Sequence, residues 1–297
     1  MNELFKNQVG IIIVTYNSEK HLQSLADSLH QAIDKDYIKK IVFSDTGSQD
    51  QTLVLIRSLF PDAVIIKPQK KGYAAGLNAG ITYFKNHLPS FLFFLNPDIE
   101  IPSQCFNLLL EELIKNDSPS FPIGIIGPRV LAPTAQGWAE ENLRKRSLWG
   151  LPQIKPHKGY LYSVHSTHGA CILLKREVIE KVGYFDEDYF MYWEETDYCT
   201  RARKKGYKIV VVNSLFIYHH PKEIRTIQIN NFLFYQWRNQ FLFAKKNYGF
   251  FKGNLFCLLR LPIFLKELTK LIKQKNWEGC SKLLKGYKEG LFSYYNG

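Results

Sequence analysis

Three groups of residues in this 297-residue chain have the makeup of a chemical site. The first is Asn96-Pro97-Asp98, set directly after the apolar run Phe91–Leu95. A hard divalent cation takes oxygen ligands and often needs only one or two protein carboxylates beside phosphate oxygens. Asp98 therefore offers a seat for Mg²⁺ or Mn²⁺ on a diphosphate; the competing reading is a plain turn that starts a helix near Ser103. The second group is Gly183-Tyr184-Phe185-Asp186-Glu187, followed by Tyr192-Trp193-Glu194-Glu195-Thr196-Asp197. Glu194, Glu195 and Asp197 open a helix that later carries Arg201, Arg203 and Lys204, an order that complements the helix dipole by itself. The chemical reading makes one of these carboxylates a general base facing a cleft. The third group is His219-His220, after the apolar run Tyr207–Val212. A histidine alone is more often structural, but imidazole suits Mn²⁺, and either residue is placed to complete the coordination that Asp98 begins.

The elements that must position these groups follow from hydrophobic pattern. Val9–Val14, Lys40–Ser44, Ala63–Ile66 and Phe91–Leu95 read as strands. Between them lie helices with Leu22, Leu25, Leu29 and Ile33, then Leu53, Ile56 and Leu59, on one side, the first capped by Ser18. Gly72–Phe84 is a further helix. Continuous apolar strands alternating with helices predict an α/β fold with a mostly parallel sheet covered on both faces. Later strands are expected at Ile123–Gly127, Gly169–Lys175 and Tyr207–Val212, and helices at Arg176–Lys181 and Glu194–Lys205. Leu131 to about Ser163 shows little periodicity and reads as a long loop of the kind that is functional or mobile.

Ligands of open parallel sheets bind beyond the carboxyl ends of the strands. Here those ends read Thr15-Tyr16-Asn17, Asp45-Thr46-Gly47-Ser48, Lys70-Lys71-Gly72 and Asn96-Pro97-Asp98. Any one could be an ordinary turn, with Asp or Ser capping the next helix; four on one edge suggest a site. Gly72 to Gly80 is a small-residue segment after two lysines. It permits close backbone approach to an anion at a helix N-terminus, or tight packing of that helix on the sheet.

Bulk properties narrow the classes. Hydrophobic residues are 45% and charged residues 22%, an ordinary globular mix. The five cysteines are scattered and form no Cys-x-x-Cys, which argues against a disulfide framework or zinc site and favours a reducing compartment. Val9–Val14 is too short, and lacks the cleavage site, for a secretory signal. Thr15-Tyr16-Asn17-Ser18 stands where a dinucleotide enzyme would carry Gly-x-Gly-x-x-Gly, which speaks against a dehydrogenase. The net charge is +12, and from Lys245 onward eleven Lys/Arg face three Glu.

In order and spacing these motifs resemble family 2 glycosyltransferases, in particular the bacterial branch with rhamnosyltransferases and galactofuranosyltransferases. Thr15-Tyr16-Asn17 is similar to the opening motif, and Asp45 to Asp50 to an Asp-Asn-x-Ser-x-Asp turn with Thr46 for Asn. Lys71 to Gly80 and Leu95 to Asp98 resemble the glycine-rich segment and the Asp-x-Asp variant of this branch. Gly169 to Arg176, Gly183 to Arg201, Arg238-Asn239 and Lys245 to Gly249 complete the likeness, which covers about residues 9 to 250. The resemblance implies a GT-A fold over residues 1–249 and inverting transfer of a sugar such as rhamnose from a dTDP- or UDP-donor in cell-surface glycan biosynthesis. It implies that Asp45, with Thr15, Tyr16 and Asn17, holds the nucleotide, and that Gly72, Gly76, Asn78 and Asn96 line the donor site. Asp98 with His219 or His220 would hold the metal. Glu195 would stand where the base is usually Asp, supported by Glu194 and Asp197. Gly169, Ala170 and Trp193 would lie on the side of a glycan or polyprenyl-linked acceptor.

Residues 250–297 carry lysines among Phe, Leu, Ile and Tyr, the pattern of amphipathic helices on the anionic inner face of the cytoplasmic membrane. A helical cap with solvated lysines is the alternative. No nucleic-acid recognition motif accompanies the charge. No run is long enough to span a bilayer, which disfavours a processive membrane synthase. A non-catalytic sugar-binding scaffold on the same fold is the second hypothesis, and turnover would eliminate it.

Overall fold

A computed structural model describes residues 5–134, 137–140, 145–146, 152–153, 160–220 and 226–292. The first half contains β1 (Val9–Thr15), α1 (Leu22–Ala32), β2 (Ile38–Asp45), α2 (Thr52–Leu59), β3 (Val64–Ile66), α3 (Tyr73–Tyr83), β4 (Phe91–Leu95), β5 (Ile99–Glu100) and α4 (Cys105–Asn116). The middle contains β6 (Ile123–Thr134), β7 (Gly137–Glu140), β8 (Lys145–Arg146), β9 (Pro152–Gln153), β10 (Leu161–Ser163), β11 (Cys171–Lys175) and α5 (Arg176–Val182). The last part contains α6 (Glu194–Lys204), β12 (Lys208–His219), α7 (Thr226–Leu259), α8 (Leu261–Lys273) and α9 (Trp277–Phe292).

The main sheet runs β10-β12-β6-β11-β4-β1-β2-β3. Strands β3, β2, β1, β4, β6 and β12 point one way, and β11 and β10 run against them. The carboxyl ends of β1, β2, β4 and β12 therefore share one edge. All of β1 is buried because helices cover both faces. Ile11 and Ile13 pack with Leu25, Leu29 and Phe106 on one side, while Ile12 and Val14 pack with Leu77, Ile81 and Tyr198 on the other. That alternation is the period of two of a strand, and each such side chain contributes about 1.5–3 kcal/mol by leaving water.

Several expectations need correction. Ser18 does not cap α1, which begins at Leu22 after an uncapped His21. Instead its backbone N–H donates to Thr52 Oγ1 at 2.6 Å, tying the β1 tip to α2. The expected long loop is strand at its margins: β6 continues to Thr134 and turns back as β7, with Leu131 opposite Glu140 and Thr134 opposite Gly137. Residues 135–136, 141–144, 147–151 and 154–159 of that span lie outside the described residues. β12 continues past Val212 to His219, through a bulge that moves its partner from Pro128 to Arg129 while the strand advances from Val212 to Phe216.

The helix α7 is interrupted at Gly249, whose φ of 80° only glycine adopts at little cost. The kink falls at the expected domain boundary, but packing crosses it. Leu233, Trp237 and Phe241 share a core with Phe256, Phe264, Leu271 and Leu283, so α7, α8 and α9 form one small bundle. Among the described residues no helix is long and apolar enough to cross a membrane.

Candidate active site

The tips of β1 and β2 form a closed polar knot. Asp45 is buried, and its Oδ1 accepts from Thr15 Oγ1 (3.1 Å) and Ser48 Oγ (2.5 Å). Its Oδ2 accepts from the backbone N–H groups of Gly47 (3.1 Å) and Ser48 (3.0 Å). The carboxylate is thereby filled by the turn that it organises. A direct contact from Asp45 to a nucleotide would displace one of these donors. Asn17 joins the two turns: its N–H donates to Ser48 Oγ and its Oδ1 accepts from Gln49 N, both at 2.8 Å. Tyr16 stands outside the knot, 58% exposed.

At the β4 tip, Asn96 N donates to Ala170 O (3.0 Å), which fixes the turn against the start of β11. His219 Nε2 lies 3.4 Å from Asp98 Oδ1, long for a hydrogen bond and suited to an ion pair. Burial alone would raise the Asp98 carboxyl, but the facing His219 imidazole, with the charge of His21, more than offsets it and holds the group below its ordinary value. Successive strand residues face opposite ways, so His220 turns instead to Glu100, with Nε2 to Oε2 at 3.4 Å, and to the edge of Trp138. Of the two histidines proposed as ligands, only His219 brings its imidazole to the Asp98 carboxylate; His220 donates its backbone N–H to Asp98 O at 2.8 Å.

The donor set can be tested against a divalent cation. Asp98 Oδ1 and Asn96 Oδ1 are buried without a hydrogen-bond partner, a costly state that a cation would relieve. Among the described residues no three of His, Cys, Asp and Glu converge on one point. Asp98, Asn96 and His219 therefore fit a cation that keeps several positions for phosphate oxygens, as Mg²⁺ and Mn²⁺ do.

Glu194 and Glu195 sit beside this tip. Burial, then the charge of Glu195, pushes the Glu194 carboxyl well above its ordinary value, and its Oε2 is buried without a partner. Glu195 is partly exposed and accepts from Thr196 Oγ1 at 3.1 Å. Its Cγ would lie 3.6 Å from a Cβ placed on Gly169, so Gly169 leaves it ordinary room. Tyr73, not anticipated from the sequence, links the two groups. Its hydroxyl donates to Gly169 O (3.1 Å), and burial, then the charges of Glu194, Glu195 and Asp98, raise it well above its ordinary value. It remains a neutral donor among three carboxyls. His168, also missed, lies edge-on to His219 with centroids 5.3 Å apart. Neither has a periodic signature that would mark it; Tyr73 hides in the small-residue segment and His168 beside Gly169.

The backbone before Glu194 is strained. Tyr192 (φ 68°) and Trp193 (φ 77°) are consecutive non-glycine residues in the left-handed region, each at a cost of about 1–2 kcal/mol. Gly72 makes room for this segment: with φ 118° it accepts a position where a Cβ would lie 2.8 Å from Phe190 O.

Other candidates serve packing. A Cβ on Gly76 would lie 2.6 Å from Val14 Cγ1, so this glycine seats α3 on β1. Asn78 spends its amide on Phe185 N, Phe185 O and Glu187 Oε1. Asp197 is held by Arg201 Nε (2.7 Å) and Asn247 Nδ2 (2.9 Å). Ala170 is fully buried, and Trp193 packs in a cluster with Tyr189, Leu242 and Phe243. These side chains shape the site from behind rather than facing it.

A parallel sheet whose strand tips gather a carboxylate, a histidine and a paired acidic helix start has the architecture of a GT-A nucleotide-sugar enzyme, and solved structures agree. The mannosyltransferase PcManGT from Pyrobaculum calidifontis in complex with GDP-Man and Mn²⁺ matches with a TM-score of 0.60 at 15% identity, over 96% of this chain and 87% of that one. S. aureus TarS 1-349 in complex with UDP-GlcNAc matches with a TM-score of 0.58 at 15% identity, over 97% and 94%. The description "Glycosyl transferase family 2" matches residues 10–183, and the chain belongs to that family of glycosyltransferases. It is similar to the low-salt glycan biosynthesis hexosyltransferase Agl10 of Haloferax volcanii, 28% identical over 246 residues, 80% of this chain and 75% of the relative. It is also similar to the N-acetylglucosaminyl-diphospho-decaprenol L-rhamnosyltransferase of Mycobacterium tuberculosis, 22% identical over 285 residues, 86% of this chain and 91% of the relative.

Proposed function

We propose that this glycosyltransferase is metal-dependent and inverting, and moves a hexose such as rhamnose from a dTDP- or UDP-sugar to a polyprenyl-linked or polysaccharide acceptor. The observation that carries this reading is the pair of buried oxygens on Asn96 and Asp98 that no hydrogen bond satisfies, with His219 facing Asp98 and Tyr73 between them and Glu194 and Glu195. The knot at Thr15, Asn17 and Asp45 supports the nucleotide, with Tyr16 exposed next to it. Asp98, Asn96 and His219 would hold Mg²⁺ or Mn²⁺, which supplies positive charge to a departing diphosphate. Glu195 removes the proton of the acceptor hydroxyl as that oxygen bonds to the anomeric carbon. The bond from that carbon to the diphosphate oxygen breaks on the opposite face, so a single displacement inverts the configuration. Glu194, raised by burial, and the Tyr73 hydroxyl stand beside Glu195 without adding charge that would repel it. The names of the Haloferax and Mycobacterium relatives support a hexosyl or rhamnosyl donor and a lipid diphosphate acceptor.

The same reading sets the protein on the anionic inner face of the cytoplasmic membrane. Phe251 (86% exposed), Leu255, Leu258 and Leu265 stand out from α7 and α8, with Trp277 (65% exposed) at the start of α9. Exposed Lys252, Lys266, Lys270 and Lys273 accompany them, a pairing suited to an interfacial helix surface. Co-flotation with phosphatidylglycerol vesicles, weak on neutral vesicles and reduced by Phe251→Ser, is the expected result; no flotation on either would refute this part.

Calorimetry with dTDP and UDP, with and without Mn²⁺, tests the main reading. Mn²⁺-supported binding should be lost in Asp98→Ala, fall by about tenfold in His219→Ala, and stay near wild type in His220→Ala. Failure of the folded protein to bind either nucleotide at millimolar concentration would sink it.

A further inference from the structure

The segment from Asp186 to Asp197 is gripped by one face of α7. Trp193 Nε1 donates to Gln236 Oε1 at 3.2 Å, and the indole leans on Phe243 with centroids 5.3 Å apart. Lys246 Nζ binds Asp186 Oδ2 (2.5 Å) and Asp188 Oδ2 (2.6 Å), and Asn247 Nδ2 binds Asp197 Oδ1. Residues 236, 239, 243 and 246–247 recur every three or four positions, the spacing of a single helix face. Asn239 lies at the middle of that face and is fully buried. Its Nδ2 donates to Met191 O (2.8 Å) and Tyr192 O (2.9 Å), and its Oδ1 accepts from Arg238 Nη1 (2.8 Å). Arg238 Nη1 also donates to Asp188 O at 2.8 Å.

We infer that Asn239, oriented by Arg238, is a positioning residue for Glu195. Its carboxamide binds the carbonyls on either side of the peptide that leads into the left-handed Tyr192–Trp193 pair. No strand or helix ladder supplies a donor to those carbonyls. Trp193 O then accepts from Asp197 N (2.8 Å) and starts α6, so the direction in which Glu194 and Glu195 leave the backbone is set by a conformation that Asn239 holds. The fold thus aims its acceptor-side carboxylate from a helix more than forty residues downstream. This inference rests on the role proposed for Glu195 above, and its structural half can be read without turnover.

The test uses the full chain carrying Asn239→Ala, Asn239→Leu or Arg238→Met. The leucine variant keeps most of the side-chain volume and loses the donors. Hydrogen exchange should speed up at the amides of residues 189–197 in both Asn239 variants, while amides of 256–283 keep their protection. The transfer rate kcat should fall by about ten- to hundredfold, and nucleotide affinity with Mn²⁺ should stay within about twofold. Arg238→Met, at a part-exposed side chain, should show the same pattern more weakly, and serves as the reading if the Asn239 variants do not fold. Unchanged exchange at 189–197, loosening confined to 256–283, or a wild-type kcat in Asn239→Leu would each overturn the inference. A wild-type enzyme with no nucleotide binding would overturn the proposed function instead, leaving the exchange result to stand alone.

Discussion

The β1–β2 tip and the segment before α6 are both irregular backbone at the same edge of the sheet, and they are held in opposite ways. At the β1–β2 tip the donors lie on the two turns themselves: Thr15, Gly47 and Ser48 all serve Asp45, and Asn17 answers Ser48 and Gln49. Before α6 the backbone is left-handed at two successive residues, and its support comes from Asn239, Gln236 and Lys246 on a distant helix. A self-contained knot is rigid as soon as its strands pair. A segment held from outside is only as well placed as the element that holds it. Under the function proposed above, the donor would sit on the self-contained knot and the acceptor beside the segment held from outside.

The sharpest way to break this contrast is at Glu195. Glu195→Gln keeps shape and hydrogen bonding but cannot take a proton, so kcat should fall by about 10²–10⁴-fold with nucleotide binding unchanged by calorimetry. Equal losses in rate and nucleotide binding would mean that the two ends are not separable. A smaller effect concerns Glu194. Burial first, and the charge of Glu195 second, hold its carboxyl well above the ordinary carboxylate range. It is therefore neutral in the folded chain where the unfolded chain is ionised, and stability is lost as pH rises above the ordinary carboxyl range towards the raised value. Glu194→Gln should remove that loss, raising Tm by about 2–4 °C near neutral pH, the shift that about 1 kcal/mol gives in a chain of this size. Near pH 4 the variant and wild type should melt together. An equal gain at both pH values would show that packing, not ionisation, is responsible.

The same contrast explains what could be read from the sequence. The strand tips at Thr15, Asp45 and Asp98 were legible because each follows a continuous apolar run, and parallel pairing brings such ends to one edge without knowledge of side-chain contacts. The reach of β12 to His219 was not, because polar Asn213 and Ser214 at its bulge look like an end. Periodicity could mark Gly76 and Asn78 as a tight helix but could not say whether ligand or protein fills the space; Val14 and Phe185 fill it. The motif Arg238-Asn239 was visible, yet its work was not, since its partners at Asp188, Met191 and Tyr192 lie almost fifty residues upstream. Tyr73 falls between these cases: it lies inside the small-residue segment Gly72 to Gly80, and its hydroxyl contact with Gly169 depends on tertiary geometry alone.

The seating of α9 on α7 bears on how this protein can be cut and recombined. A Cβ on Gly290 would stand 2.9 Å from the carbonyl of Arg238, so the last helix lies flush against the turn that carries Asn239. Trimming the chain at Gly249 to obtain a tidier fragment would strip the backing from that turn while sparing the strand tips. Under the proposed function, such a fragment should still bind nucleotide but lose transfer. Chimaeras that borrow the tail of a relative should take α7 with it, with the junction placed ahead of Thr226, so that the borrowed part brings its own grip on the loop before Glu194.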